Sequence, residues 1–399
     1  MDKSKSTDPL KIEKVSDHIP DDLSFSILLK LPLKSLVRFR SVRKSWSLLF
    51  ENPYYMNMYR INFACNNNYS YFDDSCLTFE SLEPYFEDQY ALFSLSGEKF
   101  ENKVRLDWPP PIQENGLGLN ILGSVVDGTL CFYQGCWKNP KIIFWNIVTK
   151  EFKVIPDNLL QFPPTSYEGI VFSLHGFGVD QCDYKVIRHA ALCPNLTTFK
   201  GPIPPHKSMW EIYSLRSNSW KKLDADMPSG YVRTDMRVHI NGVCHWLDEL
   251  KDCLVSFDLS NNIFFRTPLP SKVHVNFGFV LVDRRFVALN GSIAFISSYE
   301  TSNANESTNF HISILGELGV EKSWTKLFVV GPLDCIDHPV GAGNKGELFF
   351  RTKDGELAQF HLSTQIIKNY FNEDVLGTPT LLYREILLPV GGIRNVRWY

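Results

Sequence analysis

No apolar run in this chain of 399 residues approaches the roughly 20 residues that a membrane-spanning helix requires. Charge of one sign is equally scarce. With 41 Lys and Arg against 44 Asp and Glu the net charge is −3, which excludes bulk attraction to nucleic acid or to an anionic membrane. The nine cysteines are odd in number and contain no CxxC pair, against both a disulfide framework and a zinc module. Reduced, buried thiols are the expectation. The first residues, MDKSKSTDPLKIEK, lack the apolar stretch of a secretory signal. The chain is therefore expected to be soluble and cytoplasmic or nuclear. Its Asn-x-Ser/Thr triplets at Asn68, Asn195, Asn290 and Asn305 then read as chance matches. No HxxxH or HExxH pair falls on a helix and no glycine-rich phosphate loop precedes one. His175, His189, His239 and His245 read as strand or turn residues, so no catalytic, metal or cofactor site is expected.

What the sequence has in quantity is aromatic residues, 14% of the chain, with 24 Gly and 23 Pro spread throughout. That combination favours strands and turns. The exception is the N-terminal region, where residues 15–60 step at helical spacing. Leu23, Ile27, Leu28 and Leu31 make one stripe, then Leu33, Leu36, Val37 and Phe39, then Val42, Trp46, Leu49 and Phe50. Pro20 precedes Asp21 and Asp22, suited to a helix start; Pro32 separates a second helix, and Pro53 should end a third. Three short helices cannot bury all of this apolar surface among themselves, so part of it should meet a partner. The same region is basic. Residues 1–60 carry 11 Lys and Arg against 7 acids, leaving 30 against 37 in the rest, and no acid occurs from 30 to 50.

After a polar lead-in at 61–75 the period changes to short strands. A unit of strand, polar turn and aromatic-bearing strand then recurs. Its copies are YALFSLSGEKF (90–100), IIFWNIVTKEFKVI (142–155), WEIYSLRSNSWKKL (210–223) and CLVSFDLSNNIFFRTPLP (253–270). Looser ones are FHISILGELGVEKSWTKL (310–327) and LAQFHLSTQIIKNY (357–370). Between them lie DGTLCFY, NGVCHWL, NGSIAFI and KGELFFR, each opening on a turn pair. Anchors Phe93, Trp145, Tyr213, Phe257, Ile314 and Phe360 are spaced 52, 68, 44, 57 and 46 apart, near the period of a four-stranded propeller blade. The expected fold is mainly β with a small α-helical N-terminal module. Residues 76–399 should form a β-propeller-like array of about six units, with ETSNANESTN (300–309) as a protruding loop.

The segment IPDDLSFSILLKLPLKSLVRFRSVRKSWSLLFENPYY resembles the F-box of the large plant families that also carry an F-box-associated, kelch-like domain. The matching positions are Ile19-Pro20, Leu23, Ile27-Leu28, Leu31-Pro32, Ser35-Leu36, Arg38-Phe39, Val42, Lys44-Ser45-Trp46 and Pro53. Ser41 and Arg43 stand where relatives often have cysteine. Downstream, HGFGVDQCDYKVIRH and NGVCHWLDELKDCLVSFDLSNNIFFRTPLP look like the associated domain. The resemblance implies a tail (1–14), an F-box (15–60), a linker (61–75) and a client-recognition domain (76–399). It implies the role of a non-catalytic subunit of an SCF-type ubiquitin ligase. The F-box would dock an acidic Skp-type adaptor, and through it cullin and RING subunits, while the β-domain holds a protein client. The adaptor-binding candidates are Pro20, Leu23, Ile27, Leu28, Leu31, Pro32, Leu36, Val37, Arg38 and Lys44, whereas Phe39, Val42 and Trp46 are expected to pack internally or against the second domain.

Two other readings are weaker. As a DNA-binding helix-turn-helix, residues 21–50 would need a polar base-reading face, which Val37, Phe39 and Val42 spoil. A propeller scaffold without a degradation role is compatible with the same residues. The client and the loops that hold it are not legible; 134–141, 194–208 and 300–309 are the candidate loops.

Overall fold

In the computed structural model the described residues of the N-terminal region are 21–31, 35, 38–39, 41–49, 52, 54–55 and 58. From there they are 75–81, 90–96, 102–112, 119–123, 128–135, 140–147, 150–157, 167–180, 183–194, 208–224, 237–270, 279–301, 308–333, 335–343, 347–353, 357–369 and 381–383. The chain divides into two compact units, Met1–Asn67 and Asn68–Tyr399.

In the first unit α1 spans Asp21–Leu28 and begins on the two acids that favour the positive end of a helix. The second helix, α2, spans Lys44–Leu49, its first turn closed by Trp46 and Ser47 donating to the Arg43 carbonyl. The helix expected after Pro32 falls mostly outside the described residues. Leu28, Leu29 and Tyr55 are buried, with Phe25 edge-on to Tyr55 at 5.0 Å. Phe39 and Trp46 meet edge to face at 5.6 Å, the internal packing expected of them. Val42 departs from expectation: it is 63% exposed, because it sits in the turn just before α2 instead of on its inner face.

The second unit is built from antiparallel strands joined by tight turns, and among the described residues these form six four-stranded sheets. Strands β1 (Ser75–Ser81), β2 (Tyr90–Ser96) and β3 (Asn102–Leu106) start the series. The next sheet holds β4 (Leu119–Ile121), β5 (Thr129–Gln134), β6 (Lys141–Asn146) and β7 (Phe152–Val154). Then come β8 (Tyr167–Asp180), β9 (Asp183–Pro194), β10 (Ser208–Ser214) and β11 (Ser219–Leu223). The fourth sheet is β12 (Arg237–Ile240), β13 (Val243–Asp248), β14 (Cys253–Asp258) and β15 (Ile263–Pro268). The fifth is β16 (Phe279–Leu289), β17 (Ser292–Thr301), β18 (Thr308–Leu315) and β19 (Trp324–Leu333). The sixth is β20 (Ile336–Ala342), β21 (Glu347–Thr352), β22 (Leu357–His361) and β23 (Ile366–Asn369). A last strand, β24 (Leu381–Tyr383), returns to pair with β1 and completes the first sheet.

Local chemistry explains the strand order. The recurring aromatic copies are the third and fourth strands of each sheet, and the Gly-led runs are the second strands. At Asn241-Gly242 and Asn290-Gly291 both residues have positive φ, 50° and 80°, then 50° and 76°, the turn whose twist matches a two-residue hairpin. Trp145, Tyr213, Phe257 and Phe360 are buried as expected. In the first copy Leu92 is buried instead of the neighbouring Phe93, since one residue along a strand reverses the face. In the fifth, Phe310 and Ile312 are fully buried, while Ile314 lies beyond a register shift and is only half-buried.

Apolar clusters join neighbouring sheets. Trp210, Ile212, Trp246 and Phe257 join the third sheet to the fourth, and Leu254, Phe286 and Phe295 the fourth to the fifth. Phe310, Ile312, Leu348 and Phe350 join the fifth to the sixth. Two tryptophans on outer strands tie neighbouring sheets by hydrogen bonds. Trp220 Nε1 donates to the Pro156 carbonyl and Trp324 Nε1 to the Pro268 carbonyl, both at 2.9 Å. First strands lie side by side, β8 against β12, β12 against β16, β16 against β20, and β20 against β24.

Candidate functional site

The apolar residues of α1 divide between two faces. Ser24 and Leu28, four apart, are 3% and 2% exposed and turn inward. Leu23 and Ile27, also four apart, are 53% and 50% exposed and turn outward. Leu48, Val42 and Tyr54 add to the outward set at 54%, 63% and 67%. Five of the fourteen exposed large apolar side chains among the described residues thus lie in this small unit, which marks where apolar surface goes uncovered. Lys30, Arg38 and Lys44 are exposed alongside.

Of the adaptor-binding candidates, Leu23, Ile27, Arg38 and Lys44 are exposed and Leu31 is half-buried. Leu28 belongs to the inner face, where the unit's own packing occupies it. Pro20, Pro32, Leu36 and Val37 lie outside the described residues. Asn52 has a role that went unread: its Oδ1 accepts from the backbone of Tyr54 at 2.9 Å and of Tyr55 at 3.3 Å, capping the turn that delivers Tyr55 to the core. An Asn directly before a Pro was the available signal.

In the β-domain two of the described polar clusters are sealed. His245 Nδ1 and Ser256 Oγ lie 2.8 Å apart, the distance of a nucleophile and its base, on directly paired positions of β13 and β14. Both are buried, and burial pushes the imidazole down to about 3, so the pair holds two strands together and reaches no substrate. Arg188 and Glu211 pair at 2.8 Å with each side chain 2% exposed, and the Arg188 guanidinium lies between the Phe172 and Trp220 rings at 4.1 and 3.7 Å. Middle portions of the three candidate loops, 136–139, 195–207 and 302–307, lie outside the described residues.

His175 is fully buried against Trp210 at 4.5 Å and Trp246 at 5.5 Å, and neither ring nitrogen has a hydrogen-bond partner among the described residues. Burial first, then Arg237 and His189, hold its imidazole well below the ordinary value. The native state therefore keeps it neutral, while the unfolded chain takes a proton below about pH 6.5. Stability is expected to be flat above that pH and to fall below it, by up to about 1.4 kcal/mol per pH unit for each such histidine. Urea midpoints at pH 7.5 and 5.5 measure the slope, and His175→Phe should reduce it; an unchanged slope would refute the assignment.

The F-box associated beta propeller domain family matches residues 121–368. Among curated relatives, one F-box protein of Arabidopsis thaliana is 24% identical over 257 residues, 63% of this chain and 60% of its own length. A second F-box protein of that plant is 25% identical over 380 residues, covering 91% of this chain and 84% of the relative. F-box only protein 8 of Arabidopsis thaliana is 26% identical over 265 residues, 64% of this chain and 81% of that protein. The chain thus spans about three fifths of some relatives and most of others. With a family match over more than half its length and F-box proteins of a plant as its relatives, the chain belongs to the F-box associated β-propeller family of plant F-box proteins.

Proposed function

We propose that this chain is the substrate-recognition subunit of an SCF-type ubiquitin ligase, acting in the cytoplasm or nucleus. Residues 15–60 dock a Skp-type adaptor, which bridges to cullin and RING subunits, and residues 76–399 hold a protein client in a closed ring of about six β units. The observation that carries the docking half is the uncovered Leu23 and Ile27 face of α1, in a unit that also exposes Lys30, Arg38 and Lys44. A leucine and an isoleucine four apart on a helix form an anchor for a groove, and the basic rim steers an acidic partner toward it. The subunit contributes position, not chemistry: it raises the concentration of client lysines near a charged conjugating enzyme.

Co-expression with a plant Skp adaptor, a cullin and a RING subunit tests this directly. The full chain should elute with all three in one complex on size exclusion. Elution of the chain alone would overturn the assignment, and capture of adaptor without cullin would instead support a scaffold without a degradation role.

A further inference from the structure

Two turns of the β-domain share a residue pair, a conformation and a place in their sheets. Asn241-Gly242 joins β12 to β13 and Asn290-Gly291 joins β16 to β17, in each case the first strand to the second. Their φ angles are 50° and 80° in one and 50° and 76° in the other, and both asparagines are exposed. The third such pair in the sequence, Asn115-Gly116, lies outside the described residues.

The surroundings of the two turns differ. Gly242 is half-buried, its carbonyl accepts from Leu259 N at 3.0 Å, and a Cβ on it would lie 3.8 Å from the Val179 carbonyl oxygen. Just upstream, His239 Nε2 accepts from Val179 N at 3.3 Å. The end of β8 and the β14–β15 turn therefore hold this hairpin from two sides. Gly291 is exposed, and a Cβ on it would meet nothing within 4 Å. Among the described residues no hydrogen bond reaches the Asn290 side chain or the Gly291 backbone. In the fifth sheet the turn after β18 closes on itself, with Glu317 N donating to Ser323 Oγ at 3.0 Å and Gly316 N to the Ser323 carbonyl at 3.1 Å.

We propose that Asn290-Gly291 is a site of spontaneous covalent modification, at which the asparagine loses ammonia to its own backbone, and that Asn241-Gly242 is protected by its neighbours. The Gly291 backbone nitrogen attacks the side-chain carbonyl carbon of Asn290. A bond from that carbon to the main-chain nitrogen forms, its bond to the side-chain nitrogen breaks, and ammonia leaves with the backbone proton. Solvent water then opens the succinimide ring at either carbonyl, giving aspartate or an isoaspartate whose main chain runs through the side-chain carbon. Glycine permits the attack because no Cβ crowds its nitrogen. Ring closure also needs the peptide between the two residues to swing out of the turn. Nothing resists that swing at Gly291, whereas at Gly242 it breaks the bond from Leu259 and the contact with Val179.

The two products act differently on the hairpin. Aspartate keeps the backbone and tolerates positive φ much as asparagine does. Isoaspartate adds a methylene to the main chain of a two-residue turn that sets Leu289 opposite Ser292, so the pairing of β16 with β17 loosens where it starts.

The test ages the full folded chain in mildly alkaline buffer and follows conversion of amide to acid by tryptic mass mapping. Cleavage after Arg237, Lys251, Arg285 and Lys322 places the two sites on separate peptides, 238–251 and 286–322. Asn290 should convert about tenfold faster than Asn241 or more, and in urea the two rates should come within about threefold, since the fold alone separates them. Similar rates in the folded chain, faster conversion at Asn241, no conversion at Asn290, or a gap that persists in urea would each overturn the proposal. Asn290→Asp reproduces the aspartyl product and should keep the parent's urea midpoint, while the isoaspartyl fraction, separated by chromatography, should unfold at lower urea. An unchanged midpoint in that fraction would overturn the effect on the hairpin.

Discussion

Replacing Leu23 and Ile27 together by glutamate is expected to weaken capture of a Skp-type adaptor by roughly a thousandfold, at about 2 kcal/mol or more for each lost anchor. Both side chains are about half exposed, so the unit loses little of its own packing when they change. The far-ultraviolet spectrum and thermal midpoint should therefore match the parent. Leu28→Ala is the contrasting change. Leu28 is 2% exposed, and its truncation should cost about 2–5 kcal/mol of stability in the helical unit, with binding lost only as that unit unfolds. Biolayer interferometry against immobilised adaptor reads the first effect. An affinity within a few fold of the parent for the double glutamate variant would remove α1 from the interface.

The second large effect is expected at Glu211. Its carboxylate and the Arg188 guanidinium are each 2% exposed, and the cation is enclosed by Phe172 and Trp220. Glu211→Ala leaves a guanidinium buried without its counter-charge, which should cost about 3–5 kcal/mol in urea unfolding of the β-domain. Arg188→Met combined with Glu211→Leu removes both charges and keeps the apolar volume, and should recover most of that loss. If the single change costs less than about 1 kcal/mol, the pair is not the electrostatic lock that its burial implies.

The sequence made the second, third and fourth strands of most sheets legible and left the first strands obscure. Third and fourth strands announce themselves through an aromatic, a polar turn and a second apolar run, as at Tyr213, Ser217–Ser219 and Trp220. The turns carry one residue at positive φ before or at the start of the fourth strand, Lys150, Asn218, Asn262 and Gln365, at 61°, 49°, 56° and 58°. First strands lie against the first strands of neighbouring sheets, and their residues are chosen for fit. In HGFGVD a Cβ on Gly176 would stand 2.7 Å from the Cys244 Cβ, and one on Gly178 would meet the His239 ring. Such a segment has two glycines and a single β-branched residue, Val179, so period alone does not mark it as a strand. The first helix shows a related limit. Leu23, Ile27 and Leu28 form one stripe in sequence, yet two of them face out and one faces in, because helical period locates apolar faces without saying which of two is covered.

The pairing of Ser75 with Tyr383 sets a timetable for synthesis. Strand β1 leaves the ribosome early, but the strand that covers its open edge is made some 300 residues later. Until then the first sheet presents a row of unpaired amides and carbonyls, and the series of sheets has two free ends. The helical unit, finished in the first sixty-odd residues, needs nothing from that distant strand. Under the proposed function, an adaptor would meet the helical unit on a nascent chain well before the β-domain is complete.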